Sequence, residues 1–192
     1  MRFVLASASP ARLDTLRRAG VEPEVIVSGV DEDAVRADTV PELVARLAAG
    51  KAATVAATNP DALVLGCDSL LELDGQALGK PGDADTATAR WQQLRARRAT
   101  LHTGHALIVP TRPPDVRVAS TTVHFADVSD AEIAGYVATG EPLQVAGAFT
   151  IDGRGGWFVE RIEGDHHNVV GLSLPLLRHM LADAGIALSD LG

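Results

Sequence analysis

The stretch 62-ALVLGCDSLLELDGQALGKPG-82 carries the reading on which the fold turns. Its first part, ALVLGCDS (62–69), is an apolar run of strand length that stays apolar until Asp68 and Ser69. Its second part doubles back: Asp74-Gly75 fits a tight hairpin and Gly79-Lys80-Pro81-Gly82 a second turn. Upstream of this stretch strands alternate with helices, whereas here hairpins intrude. Both habits in one chain predict an α/β domain on a mixed sheet rather than a purely parallel one.

Working upstream, Arg2–Ala6 reads as a buried strand and Pro10–Ala19 as a helix. Ser9 stands at the N-cap, Pro10 suits the first helical position and Gly20 can end the helix. PEVIVSG (23–29) reads as a second strand that runs into the acidic loop VDEDAVRAD (30–38). A long alanine-rich helix is expected over Pro41–Ala57, with Thr39 or Val40 near its cap. Leu43, Leu47, Ala48 and Lys51 share one side of it.

Working downstream, a helix is expected over Asp83–Leu94, started by its acidic residue. HTGHALIV (102–109) and VRVASTTVHFA (116–126) read as strands on either side of a Pro-rich loop. Ser129 and Glu132 form a capping box for a short helix, and WFVERIEG (157–164) reads as a strand after the glycine-rich segment VAGAFTIDGRGG (145–156). LPLLRHMLADAG (174–185) is the last helix, closed by Gly185.

The chain has 192 residues, the size of one domain spanning 1–192 whose core a cleft can divide into two lobes. Its net charge of −8 argues against a general nucleic-acid-binding surface, although local cations can still hold a phosphate ligand. One cysteine, Cys67, excludes an intrachain disulfide and fits a reducing compartment. No apolar run approaches spanning length and the chain opens on a strand, so the expectation is a cytoplasmic protein with no membrane partner.

Polar clusters stand at element ends, where open α/β sheets place ligands. Ser7, Ser9 and the first helix start form a natural anion site, to which Arg12 can add paired donors. Asp31, Glu32 and Asp33 offer hard oxygens to Mg²⁺ or Mn²⁺, or else form a solvated acidic loop. Asp68, at the end of an apolar strand, can hold metal, orient a water or take its proton; a turn-capping aspartate is the competing reading. Lys80 sits in a restricted turn, and Lys51 is either a phosphate contact or a snorkelling surface lysine. Carboxylates with one arginine and two lysines suit a phosphorylated substrate and a metal.

Other motifs point less far. Adjacent histidines in GDHHN (164–168) diverge in direction, which disfavours zinc. GRGG (153–156) lacks the setting of a dinucleotide fold, and GKPG lacks the residues of a P-loop. Cys67 reads as a buried strand cysteine, and Trp91 and Trp157 as packing residues.

Taken together, these segments resemble the Maf family of nucleoside triphosphate pyrophosphatases over almost the whole chain. The resemblance is carried by SASPARLDTL (7–16), SGVDED (28–33), VARLAAGKA (44–52), GCDSLLELDGQALGKP (66–81), AGAFTIDGRGG (146–156) and IEGDHHNVVGLSLPLL (162–177). It implies a long twisted mixed sheet flanked by helices, two lobes around a deep cleft, and an architecture similar to the inosine triphosphate pyrophosphatases. It also implies hydrolysis of the α–β bond of a nucleoside triphosphate with Mg²⁺ or Mn²⁺, and a homodimer. Carried over by position, Asp68 is the proton acceptor and Ser7, Arg12, Glu32, Lys51 and Lys80 line the triphosphate site; in the expected mechanism Glu32 and Asp68 are the metal ligands and Ser9 adds to the phosphate contacts.

The chain departs from the family pattern at Ala11, where a second arginine is usual. Asp152 replaces a frequent glutamine, Ser69 a threonine and Phe149 a tyrosine. Asp152 is nearer to the subgroup acting on 7-methylguanosine triphosphate, so the base is left between a pyrimidine and a modified guanine. Ala11 also supports a rival reading, a nucleotide-binding regulatory protein without turnover; a phosphomonoesterase is a third.

Overall fold

The structure is a computed structural model that describes residues 1–191. Seven strands and six α-helices follow in the order β1 (Phe3–Ala6), α1 (Pro10–Arg18), β2 (Glu24–Val25), α2 (Val40–Ala56), β3 (Leu63–Leu73), β4 (Gln76–Leu78) and α3 (Ala84–Leu94). Then come β5 (Arg98–Ile108), β6 (Asp115–Phe125), α4 (Asp130–Val137), β7 (Val159–Glu163), α5 (His166–Val170) and α6 (Leu174–Asp183). The sheet is mixed, ordered β2-β1-β3-β5-β6-β7, with β1 parallel to β2 and β3 and the remaining pairs antiparallel.

β3 is the hinge of this architecture. One edge pairs with β5 from Val64 to Glu72. The other edge pairs with β1 over Leu63–Gly66 and with β4 over Leu71–Leu73. Between those partners, Cys67, Asp68, Ser69 and Leu70 have no strand beside them, so the sheet forks at the residues that turn polar.

The core divides at the same place. Below the fork, Leu5, Leu63, Leu65 and Cys67 pack against α1 and α6, while Val4, Ala6 and Val64 pack against Ala48, Ala52 and Val55 of α2 on the opposite face. Above it, Leu71 and Leu73 join the aromatic cluster of Trp91, Phe125, Tyr136 and Phe149. Trp91 anchors that lobe, meeting Phe125, Tyr136 and Phe158 edge-on and donating its indole N–H to the Ala148 carbonyl at 2.8 Å.

α2 lies unusually close to the sheet because two strand positions have no side chain. A Cβ built on Gly66 would stand 2.4 Å from the Ala48 carbonyl, and one on Gly104 would stand 2.2 Å from that of Val44. Gly104 pairs directly with Asp68, so this close approach sets how α2 meets the site.

Some expectations need correction. Only Glu24–Val25 of PEVIVSG is strand, since the segment lies at the sheet edge with few partners. Ser9 occupies the N-cap of α1 without a side-chain capping bond; its N–H donates instead to Ser7 Oγ at 3.2 Å. Trp157 is no packing residue: it is 87% exposed, on a 3-10 turn (Arg154–Phe158) that shortens the expected strand to Val159–Glu163. α5 was not anticipated; it is one turn long and is capped by Asp165, which accepts from His167 N–H at 3.0 Å.

Candidate active site

Because side chains alternate along a strand, Asp68 and Ser69 project to opposite faces of β3, and the site straddles its open edge. On the α2 face, Lys51 donates to Asp68 Oδ1 at 2.5 Å and reaches Glu32 Oε1 at 2.7 Å. Lys51 and Asp68 are both buried, whereas Glu32 sits on a short 3-10 turn (Glu32–Ala34) and is half exposed. Unpaired, either buried charge would cost several kcal/mol, roughly; as a pair they pin α2 to the fork. Asp68 Oδ2 accepts no hydrogen bond among the described residues and is left as a free acceptor.

On the α1 face, the buried Arg12 guanidinium spends three N–H groups on fixed partners. It donates to the Gly171 carbonyl at 2.7 Å, to Ser7 Oγ at 2.9 Å and to Ser69 Oγ at 2.9 Å. A guanidinium carries five N–H donors, so two remain for an anion. Ser69 Oγ lies 2.9 Å from Thr103 Oγ1, which also reaches the Asn168 carbonyl at 3.2 Å. The side chain of Asn168 in turn donates to the Leu101 carbonyl and Thr121 Oγ1. This polar line ties β3, β5, β6 and α5 to the arginine; Thr103, Asn168 and Gly171 were not singled out from sequence, where isolated Thr, Asn and Gly carry no signal.

His105 supports the same segment from beneath. It is wholly buried, its Nδ1 at 3.0 Å from the Thr103 carbonyl and its Nε2 accepting the Ser173 N–H at 2.9 Å, two residues from Gly171. Burial pushes its pKa down to about 4, against the hydrogen bond from its own ring N–H to the Thr103 carbonyl, so the ring is neutral at pH 7. The folded state therefore binds this proton less tightly than the unfolded state. Stability contributed by His105 is complete above about pH 6.5 and is lost as pH falls toward 4, by about 3 kcal/mol. Urea unfolding at pH 7 and pH 4.5 is expected to show that slope in the parent protein and a shallower one in His105→Gln.

Other sequence candidates fall into separate places. Lys80 is exposed, makes no hydrogen bond or ion pair among the described residues, and lies two residues past the end of β4. Ser9 lends its backbone, not its hydroxyl. Asp152 lies on the loop before the Arg154–Phe158 turn and lines a cavity of about 340 Å³ with Ala11, Thr15, His166, His167 and Val170. Ala11 thus faces that cavity and not the buried arginine cluster, so an arginine absent there leaves the Arg12 network whole. Asp31 and Asp33 form no ion pair with Lys51 among the described residues. Burial pushes the Cys67 thiol up to about 12, which makes it inert, and no cluster of three His, Cys, Asp or Glu suited to a metal exists among the described residues.

Fold and site together define an α/β protein on a mixed sheet, whose central strand forks beside a buried carboxylate–lysine pair and a buried arginine. The chain belongs to the Maf-like protein family, which its residues 2–184 match. It is 59% identical over 194 residues to a nucleoside triphosphate pyrophosphatase of Streptomyces coelicolor, covering 99% of this chain and 94% of that protein. It is 58% identical over 197 residues to one of Salinispora tropica, covering 100% and 87%. In fold it is similar to the Staphylococcus aureus Ham1 protein (TM-score 0.53, 17% identity, 96% of this chain and 100% of that one). A HAM1 protein from Coxiella burnetii is similar to the same degree (TM-score 0.52, 16% identity, 95% and 99%). These likenesses agree with the expected sheet flanked by helices. No helix among the described residues is long and apolar enough to cross a membrane.

Proposed function

We propose a division of labour for the reaction that the Maf-like relatives bear in their name. The chain is a nucleoside triphosphate pyrophosphatase: water attacks the α-phosphorus, a new P–O bond forms, and the bond to pyrophosphate breaks. The observation that carries the assignment of roles is the Asp68 carboxylate at the fork, one oxygen held by Lys51 and the other free. The free oxygen orients the water and accepts its proton. Arg12, with two N–H groups to spare, the uncapped N-terminus of α1, the Lys51 ammonium held between Asp68 and Glu32 and the exposed amine of Lys80 bind the phosphates and offset the charge that develops on them.

Glu32 and the free oxygen of Asp68 would hold a divalent cation beside the Lys51 ammonium, which already engages one oxygen of each at 2.7 and 2.5 Å. Two carboxylates supplemented by substrate phosphates and water suit Mg²⁺ or Mn²⁺. When bound, the ion supplies Lewis-acid polarisation of the phosphoryl group. Asp152 reads the base: a carboxylate accepts hydrogen bonds and favours a base edge that presents donors, as a modified guanine does. In this reading the enzyme works in the cytoplasm as a homodimer.

With Mn²⁺ and a panel of dTTP, UTP, CTP and 7-methylguanosine triphosphate, product analysis is expected to show monophosphate and pyrophosphate in equal amounts. Release of orthophosphate without pyrophosphate would overturn the assigned bond. Sedimentation at micromolar protein tests the dimer, and a monomer there would remove it from the proposal.

A further inference from the structure

Asp152 makes no hydrogen bond or ion pair among the described residues, so its place at the cavity wall is set by the backbone that carries it. That backbone, residues 150–153, belongs to no helix or strand. What holds it is Glu141, at the start of a 3-10 turn (Glu141–Gln144) on the far side of the loop. Glu141 Oε1 accepts from the Gly155 N–H at 3.1 Å, from the Tyr136 hydroxyl at 3.1 Å and from Thr150 Oγ1. The Thr150 N–H donates in turn to the Tyr136 hydroxyl at 3.2 Å. One carboxylate oxygen therefore ties both ends of the loop, and it is anchored to Tyr136 in the aromatic core.

The glycines of GRGG answer to the same carboxylate. A Cβ on Gly153 would stand 2.7 Å from Glu141 Oε1, and one on Gly155 would stand 2.6 Å from the Tyr136 hydroxyl. The loop backbone wraps the carboxylate too closely for side chains. Burial works to raise the Glu141 carboxyl, but the hydrogen bonds from Thr150, Gly155 and Tyr136 outweigh it and hold the group below its ordinary range, as an anion.

We propose that Glu141 is a positioning residue that sets base selectivity by fixing the 150–155 loop and, through it, Asp152. The proposal rests on the reading of Asp152 as the base contact. Its test is the ratio of kcat/KM for 7-methylguanosine triphosphate over dTTP, a quantity that a loss of global stability leaves alone. Asp152→Asn is expected to lower the ratio about tenfold, the effect of one recognition hydrogen bond. Glu141→Ala is expected to lower it by a similar factor, with little further change in the double variant because both act through one side chain. Glu141→Gln keeps an acceptor oxygen and is expected to restore much of the selectivity. Thr150→Val, which removes one donor to Glu141, gives a second route if Glu141→Ala does not fold.

A ratio within about twofold of the parent in Glu141→Ala and Thr150→Val, while Asp152→Asn shifts it, overturns the positioning role alone. An unchanged ratio in Asp152→Asn overturns the base-reading role of Asp152, and the proposal built on it falls with that reading.

Discussion

Asp68→Asn is expected to lower kcat by about 10²–10⁴-fold, the range for removing a positioned general base, while the protein remains folded. The amide keeps the size of the side chain and an oxygen for Lys51 to donate to, but it cannot take a proton from water. Lys51 also loses its buried counter-charge and keeps only the half-exposed Glu32, so the melting temperature is expected to fall. Circular dichroism separates the two effects: a native spectrum with turnover lost places the defect in chemistry. Turnover unchanged from the parent would remove Asp68 from the mechanism.

Gly104→Ala is expected to be the most damaging single-methyl change in the protein. The added carbon would fall 2.2 Å from the Val44 carbonyl and 2.9 Å from the Ala45 nitrogen, both in the backbone of α2, so no side chain can rotate to make room. Overpacking against rigid backbone costs about 3 kcal/mol or more, which for a domain of this size lowers the melting temperature by roughly 6–12 °C. Activity is expected to fall as well, since pushing α2 off the sheet draws Lys51 from Asp68, the strand partner of Gly104. Gly50→Ala is the matched comparison in α2 itself: its nearest neighbour is the Val30 methyl at 3.9 Å. There the substitution relieves the entropy cost of a helical glycine and is expected to stabilise by about 0.5–1 kcal/mol. Equal destabilisation by both changes would show that the close approach of α2 is not what makes Gly104 costly to replace.

Much of the scaffold was legible because local chemistry determined it. Thr39 and Asp83 cap α2 and α3 by accepting from Glu42 and Thr86 N–H groups, and Ser129 with Glu132 forms the capping box of α4. Asp74-Gly75 turns the β3–β4 hairpin with both residues at positive φ, the conformation that this dipeptide favours. These signals act over a few residues and need no knowledge of distant partners. PEVIVSG misled because a run of β-branched residues states that a segment can pair, not that a neighbouring strand extends far enough to pair with it. Trp157 misled because size and hydrophobicity predict burial only on average.

The site divides along the same line. Asp68 at a strand end, Arg12 at a helix start, Glu32 in an acidic loop and Lys51 late on a helix were identifiable as residue types, and the structure brings Asp68, Glu32 and Lys51 to one cation–carboxylate cluster. That Arg12 serves the opposite face of β3, and that Ala11 and Asp152 share a separate cavity, was decided by packing. Glycine determines this most plainly. In the sequence Gly66 and Gly104 are two unremarkable strand residues 38 positions apart. Only when β3 and β5 pair do they form the one bare patch on which α2 can settle, and that contact carries Lys51 to Asp68. By itself the sequence determined the elements, their caps and the chemistry available at their ends, because those depend on near neighbours. Which face each group serves, and at what distance, depends on contacts between residues far apart in the chain, and only the tertiary structure decided it.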